Sequence, residues 1–326
     1  MQRRLFTTLL ATTMLAAAAS ESLAQDFPSQ PIRVIVPTQQ GGSTDNIARL
    51  FQEAIQRGGH LAQPMVVANV TGAGGTVGTR QVKDADPDGY TLGVWHTGLV
   101  TARAMEVTEY DHDGFEVIAQ TGSIPMGLAV REGGPFETIE DLVEAAKASP
   151  NEIRMATNIG LTVHFVPLIF QDAAGIEFRY VQTGGGSRRL QSVLGEHTDV
   201  ALFSTQEFLN YAPSGLKPIV LFAEERHPKL PDLPTAQEIG YDVAWDEVFL
   251  WLAPVGTPDE VVDTLGDALE AAFNDERVQT TFEEQAMNTD FKRREEATAM
   301  LDELRVRATA VAGDIGALEE DTLPQN

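Results

Sequence analysis

The sequence predicts an α/β protein of two facing blocks, each a parallel or mixed sheet with helices on both faces. Three observations carry this. Short apolar runs alternate with segments of helical period, a glycine-rich loop joins strand to helix at four places, and the whole pattern occurs twice along 326 residues. Alternating strands and helices imply parallel sheets covered on both faces. Ligands of such sheets sit beyond the carboxyl ends of the strands. Two facing blocks would therefore gather four glycine loops around one cleft.

The elements follow in order. Residues 32–36 (Ile-Arg-Val-Ile-Val) read as a buried strand, and Pro37 to Gly42 as a loop. Ile47, Leu50, Phe51, Ala54 and Ile55 then fall on one helix face, with Ser43, Thr44 or Asp45 available to cap its start and Gly58-Gly59 to end it. Met65–Ala68 is the next strand, 71–75 a glycine loop, 77–82 a short helix and 90–95 a strand. The second block repeats the order. Strand 153–157, loop 158–162 and helix 164–173 precede strand 178–182, loop 183–187 and helix 189–194. Residues 199–203 and 218–222 are further strands, and Trp245, Phe249 and Trp251 are core residues of a late strand. The last 70 residues read as helical. Thr257-Pro258-Asp259-Glu260 has the form of a capping box opening a helix through Phe273. A final helix spans 294–312, ended by Gly313 and Gly316 and followed by a solvated acidic tail at Glu319, Glu320 and Asp321.

Composition removes several classes of function. The 23 Lys+Arg against 48 Asp+Glu give a net charge of −25, which argues against nucleic-acid partners and adhesion to anionic membranes. There are no cysteines, so disulfides, thiolate metal sites and cysteine nucleophiles are excluded. The N-terminus differs in character from the rest. Arg3 and Arg4 precede an apolar run from Leu5 to Ala19, and Ser22-Leu23-Ala24 places small residues at −3 and −1 of a cleavage site. This is the layout of an export signal over 1–24, and the run is shorter than the ~20 residues of a spanning helix. No Walker loop, no G-x-S-x-G elbow and no histidine pair at metal-ligand spacing occurs, so neither cofactor nor metal is implied.

The loops carry the chemistry. Glycine lets the backbone approach a ligand, and the helix behind each loop offers open N–H groups and the positive end of its dipole. Together these form an anion site. In the first loop, Thr38, Gln39, Gln40, Gly41, Gly42, Ser43 and Thr44 supply neutral donors and no cation. Ala73 and Gly74 belong to the second loop, Asn158, Gly160, Leu161 and Thr162 to the third, and Thr183, Gly184 and Gly185 to the fourth. His96 and Thr97 end a strand beside this space, as does Ser204 after a second-block strand. Neutral donors suit a carboxylate that must be bound and later released. Any one loop could merely turn the chain; four at equivalent places point to a shared site. Asp45 reads better as a loop organiser than as a general base, and His164 better as a local hydrogen-bonding group than as an anion donor. Trp95 suits either the core or a ligand's carbon skeleton.

An ordered set of motifs then resembles the receptors of the tripartite tricarboxylate transporters, the Bug family. It runs through Pro31–Pro37, Gly41-Gly42-Ser43-Thr44-Asp45, Asn69 with Gly72-Ala73-Gly74-Gly75, and Pro87-Asp88-Gly89-Tyr90-Thr91-Leu92. It continues through Gly195 and Asp199, Arg226, Leu230–Thr235, Glu238 and Ala253–Pro258. The resemblance implies a monomeric periplasmic solute-binding protein of type II-like fold with a hinge, its domains at 25–125 plus 226–326 and at 126–225. It implies a small organic acid between them, held by the four loops, and delivery to a membrane permease with one large and one small subunit. Gln39-Gln40 stand where prolines are common in the family, and 183–186 lacks the usual tyrosine-lysine-glycine pattern, which weakens the demand for a second negative charge on the ligand. An exported hydrolase using Asp45 or His164, or a sensory module presenting its ligand-bound form to a membrane kinase, are the alternatives.

Overall fold

The computed structural model describes residues 27–322. The export signal at 1–24 and the side chains of the acidic tail lie outside that description. The first sheet begins as expected, with β1 (Ile32–Val36) flanked by β2 (Met65–Asn69) and β3 (Thr91–His96), all three parallel. β1 is buried on both faces because helices cover both: Ile32, Val34 and Val36 pack with Phe51 and Leu265, while Ile35 packs on the other side with Val82 and Trp95. The helices concerned are α1 (Ser43–Gly58), α2 (Thr76–Lys83) and the much later α8 (Asp259–Phe273).

A third helix, α3 (Gly98–Ala104), leads to β4 (Phe115–Arg131), a strand of 17 residues that joins the two halves of the molecule. Its first part, Phe115–Pro125, pairs antiparallel with β9 (Asp246–Pro254), and Ala119–Ser123 pairs with β10 (Asn288–Arg293) in the first sheet. From Met126 onward it pairs antiparallel with β7 (Val200–Ser204) and β8 (Leu216–Phe222) in the second. There β7 continues into β5 (Arg154–Thr157) and β6 (Arg179–Gln182), again all parallel. Helices α4 (Ile139–Ala148), α5 (Thr162–Ala174), α6 (Gly186–Leu194) and α7 (Thr205–Tyr211) dress this sheet. The fold is thus the two-domain α/β arrangement the alternation predicts, with mixed sheets.

Four local readings need correction. α1 is preceded by Gly42 as its N-cap, with no side-chain cap from Ser43, Thr44 or Asp45. The Thr257 capping box does not form: the Thr257 hydroxyl turns back to the Pro254 carbonyl at 2.8 Å, and the helix starts after Pro258 without a side-chain cap. The C-terminal 70 residues are not all helical, since α9 (Glu276–Glu284) is followed by β10. The final helix, α10 (Arg294–Thr322), runs through Gly313 and Gly316, because a helix tolerates an interior glycine at a cost of about 1 kcal/mol.

Candidate functional site

All six parallel strands end on the same gap. β1, β2 and β3 stop at Val36, Asn69 and His96; β5, β6 and β7 stop at Thr157, Gln182 and Ser204. The two sets of ends touch across it. The Ser43 hydroxyl donates to Gln206 Oε1 at 2.8 Å, and the hydroxyls of Thr101 and Thr162 lie 3.4 Å apart. A Cβ placed on Gly74 would lie 3.1 Å from Leu161 Cδ1, and one on Gly98 would lie 3.3 Å from Thr162 Oγ1. The loops at 38–45, 73–75 and 158–162 therefore meet at one place. The fourth loop joins them at its border, where Gln182 donates to Asn158 Oδ1 at 2.6 Å and accepts the Ile159 N–H at 2.8 Å.

The four helices that follow the glycine loops share a feature. α1, α2, α5 and α6 follow Gly42, Gly75, Leu161 and Gly185, and none has a side-chain cap. Of the other helices, Thr138, Ser204 and Asp275 cap α4, α7 and α9 with their own oxygens, while α3 and α8 also start without a side-chain cap. An uncapped helix start keeps its first N–H groups available to an external acceptor. The first loop holds its shape through one buried carboxylate. Asp45, 1 % exposed, accepts the Gly41 N–H at 2.9 Å, both of its oxygens face Arg49 Nε at 3.0 and 3.1 Å, and Asn69 donates to it at 2.9 Å. Asn69 in turn holds the Thr38 carbonyl at 3.0 Å. Burial alone would raise the Asp45 carboxyl, but these hydrogen bonds outweigh it and hold it below the usual carboxylate range. Gln39 and Gln40 remain exposed at the rim.

Other predicted residues serve the frame. Thr97 is fully buried and tied to β9, its N–H on the Val248 carbonyl at 3.2 Å. His164 Nδ1 accepts the Gly160 N–H at 3.3 Å and its ring stands edge-on to Tyr180; burial pushes its pKa down. Thr183 closes its loop through two bonds to the Thr157 carbonyl. Ser204 forms a capping box with Glu207. Trp95 is core, its ring lying so close to Gly75 that a Cβ there would meet it at 2.5 Å.

A family model described as "Tripartite tricarboxylate transporter family receptor" matches residues 47–316. The chain belongs to that family of receptors. A UPF0065 protein of Bordetella pertussis is 31 % identical to this receptor over 270 residues, 81 % of this chain and 82 % of the other. The solved periplasmic binding protein BugD is 30 % identical and superposes with a TM-score of 0.81, covering 89 % of this chain and 99 % of that one. MatC of Rhodopseudomonas palustris, solved with bound malate, is 26 % identical with a TM-score of 0.79 over 88 % of this chain and all of that one.

Three residues of the receptor's gap escape a reading of glycine loops. Gln206 bridges to Ser43. Glu207, beside it, has its Oε2 3.5 Å from Arg189 Nη2, and its Oε1 stands where a Cβ on Gly186 would come within 1.8 Å. Burial pushes Glu207 up, against the pull of Arg189 and the Ser204 N–H, and the negative charge of Glu247 adds to the rise. Glu247, second residue of β9, has Oε2 3.6 Å from His96 Nδ1. The sequence signal for Glu207 is the spacing Ser204-x-x-Glu207; Glu247 carries none, since only the folded sheet brings it to His96.

Proposed function

We propose that this receptor binds a small organic acid in the gap between its two domains and, closed around it, presents it to a membrane permease with one large and one small subunit. The ligand carboxylate sits at the uncapped start of α1, against the main chain of Thr38–Thr44 and of Ala73–Gly75. The loops at 158–162 and 183–185 close from the other side. The observation that carries this is the meeting of uncapped helix starts where Ser43 and Gln206 join the two domains. The malate held by MatC supports a carboxylate as the ligand class. The domains divide within β4, between Pro125 and Met126, where pairing passes from one sheet to the other, and again in the segment between β8 and β9; these are the hinge strands. All four loops come from one copy, which supports a receptor that works as a monomer. The basic and apolar N-terminal stretch directs it to the periplasm.

Thermal shift against a panel of carboxylates tests the reading. A ligand at about 100 times its Kd adds about 2.7 kcal/mol to stability. The decisive variant is Ser43→Pro. Gly42 has ψ 166°, which suits the residue before a proline, and the first helical position accepts proline well. The variant removes one N–H and the hydroxyl bridge and leaves α1 folded. Loss of ligand stabilisation with an unchanged melting point of the free protein is the expected result; full retention of affinity overturns the assignment of the first loop.

A further inference from the structure

Two carboxylates, Glu247 and Glu207, stand near one another beside His96 at the end of β3. Gly98 donates its N–H to His96 Nδ1 at 3.0 Å, so that nitrogen is an acceptor and the ring proton sits on Nε2. The imidazole is therefore neutral, and burial pushes its pKa down further. It follows that the 3.6 Å approach of Glu247 to the same nitrogen is not a salt bridge. Glu247 has only 14 % of its side chain exposed, and no other donor or cation reaches it among the described residues. Behind it Glu207 lies 17 % exposed, its charge shared with Arg189. Arg189 itself is committed, to the Leu202 carbonyl at 3.1 Å, the Gly184 carbonyl at 3.3 Å and the Phe203 ring. No donor of the protein reaches the Glu247 carboxylate among the described residues, so its hydrogen bonds go to solvent or to a ligand in the gap.

We propose that Glu247, backed by Glu207 and the neutral His96, is the specificity-determining group of this receptor, selecting an acid that carries an ammonium group opposite its carboxylate over a dicarboxylate. This rests on the organic-acid reading above. A ligand carboxylate reaching Glu247 would add a third negative charge beside Glu247 and Glu207, whereas an ammonium supplies the donors that Glu247 lacks. Arg188 makes no ion pair among the described residues and lies beside the fourth loop: its Cδ is 3.4 Å from a Cβ built on Gly184, and it is exposed. It could serve a diacid only by swinging in over the fourth loop.

Isothermal titration calorimetry at pH 7.5 with matched pairs decides: 4-aminobutanoate against succinate, and 6-aminohexanoate against adipate. The amino member should bind at least about tenfold more tightly in each pair. Glu247→Gln should abolish that preference, and because Glu247 has no partner to lose, the free variant should melt no lower than the parent. An amino preference that survives Glu247→Gln, or a diacid preference in the parent, overturns the proposal and leaves the organic-acid reading standing. Binding of neither member of either pair, together with silence across the wider carboxylate panel, overturns both.

Discussion

The first-domain loop at 38–45 and the second-domain loop at 183–186 are built alike, strand then glycines then an uncapped helix, yet they handle negative charge in opposite ways. In the first, Asp45 is turned inward and wrapped by Arg49, Asn69 and the Gly41 N–H, so the chain's own carboxylate shapes the loop while the helix start stays open. In the second, Glu207 projects from a neighbouring helix onto Gly186, so a carboxylate of the chain stands over the helix start itself. A glycine loop before a helix is thus a place where an anion fits, and the surrounding sequence decides whether the protein or a ligand provides it. The asymmetry is what the proposed direction of the ligand rests on, carboxylate towards α1 and its other end towards Glu207 and Glu247.

The strongest way to break the comparison is to neutralise each carboxylate at constant shape. Asp45→Asn sets an amide donor against three existing donors and leaves Arg49 without its counter-charge. Since removing one partner of a buried pair costs about 3–5 kcal/mol and Arg49 is partly exposed, a loss of about 3 kcal/mol at pH 7 is expected. Glu207→Gln should cost less, because burial already disfavours the charged form of Glu207 and so offsets part of what Arg189 loses with its counter-charge. Urea denaturation of the two variants measures both. Equal losses would show the two loops to be alike after all. The acid limbs should differ too. Asp45, held low, contributes stability that is present above its unfolded pKa of 3.8 and is lost as pH falls through the folded value. Glu207, held high, contributes stability that is present below its unfolded 4.5 and lost as pH rises through its folded value.

Much of this was legible in the chain, for local reasons. The strand β1 and the face of α1 are contiguous patterns, and Ile47, Phe51, Ala54 and Ile55 are all buried as their spacing requires. The glycine loops announced themselves because positive φ is needed there, as at Gly41, Gly74 and Gly184. β4 was not legible. It is buried almost throughout, so it shows no alternation, and Gly122 and Pro125 interrupt it where pairing shifts between sheets. The role of Asp45 as loop organiser could be read from its place in the first turn of the helix. Its partner Asn69 could not, being on another strand, and the meeting of Glu247 with His96 is likewise a product of β3–β9 pairing.

The start of β9 offers a sharper separation of pH effects. Asp246 and Glu247 are adjacent on β9 and so point to opposite faces. On the rear face Asp246 accepts from Ser123 at 3.2 Å and Asn288 at 2.9 Å, beside a cavity of about 490 Å³ lined also by Trp245, Met300 and Leu304. Burial, with the nearby charge of Asp290, raises Asp246 to about 6, and burial raises Asp290 as well. A raised folded pKa means stability fully present below 3.8 and lost as pH rises through about 6. Asp246 should account for about 2 kcal/mol of loss across that window, and Asp246→Asn should remove that share and leave the slopes of Glu207 and Asp290. Because the Asp45 limb lies below this range, the two slopes appear in different parts of one melting-temperature profile. A profile for Asp246→Asn that keeps the wild-type slope between pH 4 and 6.5 would remove the Asp246 carboxylate from the account.

The smallest effect tests the contact between domains. Gly74 has φ +66°, where alanine costs about 1 kcal/mol, and its added Cβ would press on Leu161 Cδ1 at 3.1 Å. The first cost is local to one domain; the second arises only when the domains are closed. Gly74→Ala should therefore lower stability by about 1 kcal/mol and also weaken ligand affinity, because closure must displace Leu161. Leu161→Ala in the same chain should restore the affinity and leave the backbone cost in place, a non-additivity that identifies the pair as touching. Gly184→Ala is the control from the other loop. Its φ of +104° strains alanine and its Cβ meets only Arg188 of its own domain at 3.4 Å, so it should cost stability without a rescue by Leu161→Ala. If Leu161→Ala rescued neither variant or both, the loops of the two domains would not be meeting at Gly74 in the ligand-bound form.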